Sequence, residues 1–224
     1  RLRLLCDRLL LFPGEPSHAP YDRPMGVDGR KAELRAAILT ARSLVSPDGW
    51  AAEDTARNRL LATWLGQTST VALYAARPGE PGTQQLIDLL AARGSRVLLP
   101  VLRRTPMWAD FEGWAATRAG AYGIPEPTGA VLPATALAEA DAVLVPCLAV
   151  GRDLTRLGTG GGWYDRALPH RRPGTPLVAL TRAAEVIDTV PTLPHDVSVD
   201  GAVSERGWVG APPSLTMGDG LPNR

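Results

Sequence analysis

Val71-Ala-Leu-Tyr-Ala75, Gly79-Glu80-Pro81-Gly82, Thr83-Gln-Gln-Leu-Ile-Asp-Leu-Leu-Ala-Ala-Arg93 and Arg96-Val-Leu-Leu-Pro-Val101 fall in that order along residues 71–101. The first and last are short apolar runs and read as strands. Between them lie a Gly/Pro turn and a helical segment, with Thr83 as its expected cap and Gly94 as its stop. Two strands joined through a helix must pair in parallel, because a parallel pair needs a long crossover. This unit sets the fold class. Outward from it, Ala142-Val-Leu-Val-Pro146 and Leu177-Val-Ala-Leu180 read as further central strands, and Val197–Val203 as an edge strand. A short helix is expected over 134–140 and another near Gly162. At the N-terminal side, Leu34, Ala37, Ile38, Ala41, Leu44 and Val45 recur at helical spacing over 30–46, with Lys31, Arg35 and Arg42 on the other side. Ser46-Pro47-Asp48 breaks that helix, and a second is expected over 51–66. The expectation is one α/β domain with three α/β/α layers, a mainly parallel sheet and an N-terminal helical pair.

Composition narrows the function classes. The chain has 224 residues, 45% hydrophobic and 21% charged, which suits a single globular domain with a full core. A net charge of +1 and a pI of about 8.0 give no overall field for nucleic acid or an anionic membrane, so neither is an expected partner. Two cysteines, Cys6 and Cys147, cannot build a disulfide framework or a zinc cage, and the expected location is the cytoplasm. No apolar stretch is long enough to span a bilayer. Residues 1–27 are rich in Pro and Gly without a period and read as a loosely ordered extension. Met25 stands just before the first periodic segment, and residues 211–224 read as a C-terminal tail around a domain over 28–210.

The chemistry is expected in Arg156-Leu-Gly-Thr-Gly-Gly-Gly-Trp-Tyr-Asp165. A buried strand ends, a polar turn follows, and Gly158, Gly160, Gly161 and Gly162 precede a helix. Backbone N–H groups in such a loop can approach phosphate oxygens, and a helix start adds positive potential. The pattern is neither a Walker loop, lacking Gly-Lys-Ser/Thr, nor the dinucleotide Gly-x-Gly-x-x-Gly. A loop that merely turns the chain has the same composition, so spacing alone leaves both readings open.

This stretch resembles the Arg-Leu-Gly-x-Gly-x-Gly-Tyr-Tyr-Asp signature of 5-formyltetrahydrofolate cyclo-ligases, also called methenyltetrahydrofolate synthetases. Lys31-Ala-Glu-Leu-Arg35, Gly79-Glu80-Pro-Gly-Thr83, Tyr122-Gly-Ile-Pro-Glu-Pro127, Val145-Pro146, Pro194-His-Asp196 and Ser204-Glu-Arg-Gly207 appear in that family's order, over about residues 28–210. The resemblance implies conversion of 5-formyltetrahydrofolate to 5,10-methenyltetrahydrofolate with ATP as co-substrate and Mg²⁺, releasing ADP and phosphate. The formyl oxygen attacks the γ-phosphate, N10 closes the ring, and phosphate leaves. It implies ATP binding by Lys31, Arg35, Arg156, Leu157, Gly158, Thr159, Gly160, Gly161, Gly162, Trp163 and Tyr164. Substrate would meet Ala75, Glu80, Thr159, Gly160, Gly161, Gly162 and Trp163. Mg²⁺ would meet Asp165 and Asp196. The expected state is a monomer or at most a weak dimer.

Each residue also has a plainer reading. Lys31 is the only lysine against 23 arginines; it is either a solvated residue at a helix start or a phosphate contact that a planar guanidinium cannot mimic. Asp165 could simply complement a helix dipole, Asp196 could be a turn residue, and His195 reads as structural. Cys147, Val150, Gly161 and Thr181-Arg182 depart from the family pattern and are expected to loosen or alter the folate pocket. The alternatives are a non-catalytic or divergent folate- or nucleotide-binding relative and, by fold analogy only, a sugar-phosphate isomerase or CoA-transferase.

Overall fold

A computed structural model describes residues 26–215. The strands are β1 (Thr70–Ala72), β2 (Arg96–Val101), β3 (Met107–Asp110), β4 (Thr117–Ala119), β5 (Pro125–Pro127), β6 (Val131–Pro133), β7 (Ala142–Pro146), β8 (Ala149–Gly151), β9 (Arg156–Leu157), β10 (Leu177–Leu180), β11 (Val186–Ile187), β12 (Gly201–Ser204) and β13 (Gly207–Val209). The α-helices are α1 (Val27–Ser43), α2 (Pro47–Leu65), α3 (Gln84–Ala92) and α4 (Trp163–Ala167). The main sheet has eight strands in the order β13-β12-β10-β7-β1-β2-β3-β6. Its five central strands, β12 to β2, are parallel, and antiparallel β13, β3 and β6 close the two sides. A three-stranded sheet, β11-β8-β9, stands beside it.

The central strands are apolar on both faces, as helix-covered parallel strands must be. Alternate residues feed two cores. Val71, Leu99, Leu144, Val178 and Val203 face α2 and α3 through Leu61, Leu65, Leu86 and Leu90. Ala72, Leu98, Val143, Val145 and Ala179 face Leu137, Ala167 and Leu168 on the opposite layer. That second layer is thin: α4 is five residues long, and Ala134–Glu139 is a 3₁₀ turn.

Several expectations shift. The strand expected at the edge over 197–203 is Gly201–Ser204, inside the sheet, because the Glu205-Arg206 turn folds β13 back against it. Helix α2 starts at Pro47, not 51: the Ser46 hydroxyl accepts the Gly49 N–H at 3.1 Å, and Pro47 suits the first helical position. Thr83 does not cap α3 with its side chain; its hydroxyl donates to the Tyr74 carbonyl at 2.6 Å and accepts the Ala76 N–H, tying β1's end to the helix start. The helical pair divides, since α1 packs through Ile38 on Leu148, Ala149, Leu157 and Val190 around the small sheet, not on the main one. Consequently part of the charged side of α1, expected outward, points inward: Lys31 and Arg42 are buried alongside Ile38 of the apolar stripe, while Leu44 at the end of that stripe is 83% exposed.

The expected extension over 1–27 lies, apart from Gly26 and Val27, outside the described residues, as do 216–224 of the tail. The start of that tail packs on the domain: the Trp64 indole N–H donates to the Pro213 carbonyl at 2.8 Å, and Leu215 lies against the core.

Candidate active site

A cleft of about 980 Å³ opens beyond the carboxyl ends of the parallel strands, where open α/β sheets present ligand sites. Tyr74 and Ala75 reach it from β1, Pro100 with Arg103 and Arg104 from β2, and Pro146 from β7. Helix α1 supplies Lys31 and Arg35, and the glycine loop supplies Gly158 through Asp165. Glu80, His195 and Asp196 complete the wall. Of the candidate site residues, only Leu157 lies elsewhere: it is fully buried in β9 beneath α1. The sequence pattern could not separate it from its neighbours, because a two-residue strand is below any period.

Seven basic and four acidic side chains line the cleft, an excess of three positive charges where the whole chain carries +1. The walls focus that field on anions. Lys31 is buried and donates to Asp196. Burial pushes the Asp196 carboxyl up, but Lys31 and the Leu193 N–H outweigh it and hold it below its ordinary value. Arg35 donates from Nε to the Gly158 carbonyl at 2.9 Å, and its guanidinium lies over Gly160. Gly160 has φ +101° and a Cβ there would press on Arg35, so both conformation and space favour glycine. Arg156 pairs with Asp165 in the first turn of α4. Arg77 holds Glu80 at 2.9 Å.

Asp165 and Asp196 thus share one cleft, and each carboxylate already has a cation beside it. Among the described residues no group of three or more His, Cys, Asp or Glu side chains could cage a metal. The donors do not fit an all-protein Mg²⁺ site. They fit a Mg²⁺ ion carried on nucleotide phosphates, which needs only one or two carboxylates and water.

A model of the 5-formyltetrahydrofolate cyclo-ligase family matches residues 27–205. The chain belongs to that family. The 5-formyltetrahydrofolate cyclo-ligase of Mycolicibacterium smegmatis is 37% identical over 186 residues, covering 80% of this chain and 96% of its own. The solved structure of Aquifex aeolicus 5,10-methenyltetrahydrofolate synthetase has a TM-score of 0.67 at 24% identity, covering 84% of this chain and 97% of that one. A 5,10-methenyltetrahydrofolate synthetase from Mycoplasma pneumoniae has a TM-score of 0.63 at 23% identity, covering 78% and 98%. These two likenesses carry the fold.

Most departures from the cyclo-ligase pattern turn out to lie away from the cleft. Cys147 and Val150 are buried in the core and do not line the cleft; burial pushes the Cys147 thiol up to about 12. The Thr181 carbonyl accepts from Arg57 at 2.9 Å, and Arg182 grips Glu53 of α2 beneath the Trp50 ring. These four are structural ties, not pocket walls; Gly161 alone lines the cleft. Sequence reasoning missed Arg103, Arg104 and Tyr122, which also line it. The Arg103-Arg104 pair just past β2 was a legible signal, given the strand-end rule. Arg103 forks onto the buried Glu126 carboxylate at 3.0 and 2.8 Å, with Arg118 on the same oxygen, and these cations hold that carboxyl below its ordinary range despite burial.

Proposed function

We propose that this cleft is where the cyclo-ligase reaction takes place, with ATP on the α1 and glycine-loop side and the folate toward Glu80. As a family member the chain is an ATP-dependent 5-formyltetrahydrofolate cyclo-ligase, forming 5,10-methenyltetrahydrofolate. The observation that carries the assignment of sides is the convergence of Lys31, Arg35, Arg156 and the glycine loop on one wall, with Glu80 on the same cleft.

The chemistry follows from charge and geometry. An amide oxygen is a poor leaving group and phosphate a good one. The formyl oxygen therefore attacks the γ-phosphorus, and the bond from that phosphorus to ADP breaks. N10 then attacks the formyl carbon, loses its proton, and phosphate departs. Alignment and charge neutralisation are the protein's share. Lys31 and Arg35, one turn apart on α1, grip the polyphosphate. Arg156 and the backbone N–H groups of 158–164 cradle its oxygens. Glu80 accepts from the pterin's N–H groups. Asp165 and Asp196 would hold Mg²⁺, which when bound neutralises phosphate charge. On ATP arrival Lys31 exchanges its Asp196 contact for phosphate, leaving that carboxylate available. All these residues come from one chain, so a monomer suffices.

The test is direct. The purified protein is mixed with 5-formyltetrahydrofolate and Mg-ATP, and the near-ultraviolet absorbance of the methenyl product is followed. Growth of that absorbance, dependent on ATP, is expected. Binding of both substrates without turnover would instead make the chain a non-catalytic relative.

A further inference from the structure

The β4–β5 hairpin is a two-stranded piece of its own beside the main sheet, yet Ala121, Tyr122 and Ile124 at its turn line the cleft. Tyr122 is 82% exposed and has φ +59°, a left-handed conformation that a tyrosine adopts only at a cost. Such strain persists where the surroundings fix it. Here the Gly120 N–H donates to the Ile124 carbonyl at 2.8 Å, and the Ile124 N–H to the Ala121 carbonyl at 3.2 Å. Against this turn lies Glu126, whose side chain is 3% exposed. A Cβ on Gly120 would stand 2.9 Å from a Glu126 carboxylate oxygen, so the glycine leaves room for that carboxylate.

Glu126 is where the hairpin is tied down. Two hydrogen bonds join residues 117–127 to the end of β2, both from Arg103 to this carboxylate, at 3.0 and 2.8 Å. Arg118 donates to it as well at 3.0 Å, but Arg118 belongs to β4, so that bond ties the hairpin only to itself. Both terminal nitrogens of Arg103 are spent in the fork. The turn itself brings apolar and aromatic side chains to the cleft, unlike the cationic wall of Lys31, Arg35 and Arg156. Such a surface suits a flat uncharged ring and not a triphosphate. β2 pairs with β1, whose exit leads to Glu80, which puts the hairpin beside the part of the cleft read above as the folate's. A purine is also a flat ring, so the test separates the two substrates.

We propose that Glu126 is a positioning residue for the folate: through Arg103 it fixes the β4–β5 turn as an outer wall of the cleft, against which the folate's rings rest. It touches no substrate itself. The inference rests on the cyclo-ligase reading of the cleft, with the folate toward Glu80. With the tie cut, the turn keeps its own backbone bonds, but its hold on β2 is reduced to apolar contact and the wall is free to shift. Folate binding then weakens. Phosphoryl transfer, run by groups on α1 and the glycine loop, keeps its rate once folate is bound, so the loss falls on KM and not on kcat.

The experiment compares the full chain with Glu126→Gln, Arg103→Gln, the double variant and Arg118→Gln, by steady-state turnover of 5-formyltetrahydrofolate with Mg-ATP and by thermal unfolding. The first three should each raise the folate KM by about 3–10-fold, the worth of one lost ring contact, with kcat and the ATP KM within about twofold. The double variant should be no worse than either single, because all three cut one tie. Arg118→Gln should leave the folate KM within about twofold, since the tie to β2 survives and the arginine is an exposed partner. Tm should fall by no more than a few degrees, because the Arg103 and Arg118 side chains are 45% and 60% exposed and water solvates them once released. An unchanged folate KM in Glu126→Gln would overturn the proposal. So would a rise with Arg103→Gln alone, or an additive double variant, either of which would mean that Arg103 meets the substrate directly. A rise in the ATP KM in place of folate's would put the adenine on the turn, and an equal rise with Arg118→Gln would place the effect inside the hairpin; each contradicts the proposal. A collapse of Tm in Glu126→Gln would make the carboxylate a support of the whole fold and sink it too. Inactive wild-type protein would overturn the cyclo-ligase reading and this inference with it; an active wild type whose folate KM is indifferent to Glu126→Gln would overturn this inference alone.

Discussion

Replacing Arg42 by methionine should destabilise this protein more than any single change on the cleft wall. Arg42 is 3% exposed and Glu185 1%, and their side chains meet through two bonds of 2.7 and 2.8 Å. Burial alone would lower the Arg42 pKa, but the hydrogen bond and charge of Glu185 outweigh it and leave the guanidinium more firmly protonated. The same guanidinium donates to the carbonyls of Cys147 at 2.8 Å and Gly79 at 3.1 Å. It therefore fastens α1 to the exit of β7 and to the turn that carries Glu80. Removing one partner of a buried pair costs roughly 3–5 kcal/mol, because the remaining charge is left unpaired in a poor solvent. Glu185 keeps the Arg182 backbone N–H at 3.2 Å and a guanidinium 4.0 Å away, so the lower end applies, about 3 kcal/mol. With a urea m-value of about 3 kcal/mol/M for a chain of this size, the midpoint should fall by about 1 M. The double variant Arg42→Met with Glu185→Leu removes both charges and should recover most of that loss, since apolar replacement of a buried pair is often neutral. Urea unfolding followed by tryptophan fluorescence measures both. A single-variant loss under about 1 kcal/mol, or a double variant no more stable than the single, would refute the reasoning.

Three further outcomes are expected. Lys31→Ala should raise the KM for ATP more than that for folate, and Lys31→Arg should not restore it, because a guanidinium is longer and planar; steady-state kinetics with each substrate varied would decide. Asp196 has a lowered pKa in the fold, so its contribution is present above its unfolded value of about 3.9 and disappears as pH falls through the lower folded value. Asp196→Asn should thus be less stable by about 2 kcal/mol at pH 7, with the gap to the parent closing below about pH 3.9, and it should need more Mg²⁺ for half-maximal activity; urea titrations across pH and a Mg²⁺ titration check both. Ending the chain at Ala211 removes the Trp64–Pro213 hydrogen bond and the Leu215 contact; a Tm drop of about 3–8 °C is expected by calorimetry, from a loss of about 1–3 kcal/mol.

The apolar runs at 71–75, 96–101, 142–146 and 177–180 were legible as strands because a strand buried on both faces has to be apolar throughout, whatever lies around it. The glycine loop and the carboxyl-end location of the cleft were legible for a similar reason: both depend on local backbone chemistry and on the handed connection of parallel strands. The helical spacing of Lys31, Arg35 and Arg42 was also correctly read as one side of α1. That this charged side would be buried was not. Spacing gives angles between residues on a helix, not the direction of the rest of the protein. That direction came from partners far along the chain: Asp196, Gly158 and Glu185 lie 165, 123 and 143 residues away from the cations that meet them. The apolar stripe looked like the buried face because hydropathy alone marked it, and α1 does not lie on the main sheet. It rests on the small sheet instead, with its charged side over the cleft, and ion pairs replace apolar contacts there. The same long-range placement made Arg182 a tie to α2 and buried Leu157. No local pattern encodes such facts, since each is decided by which distant segment the fold brings against the residue.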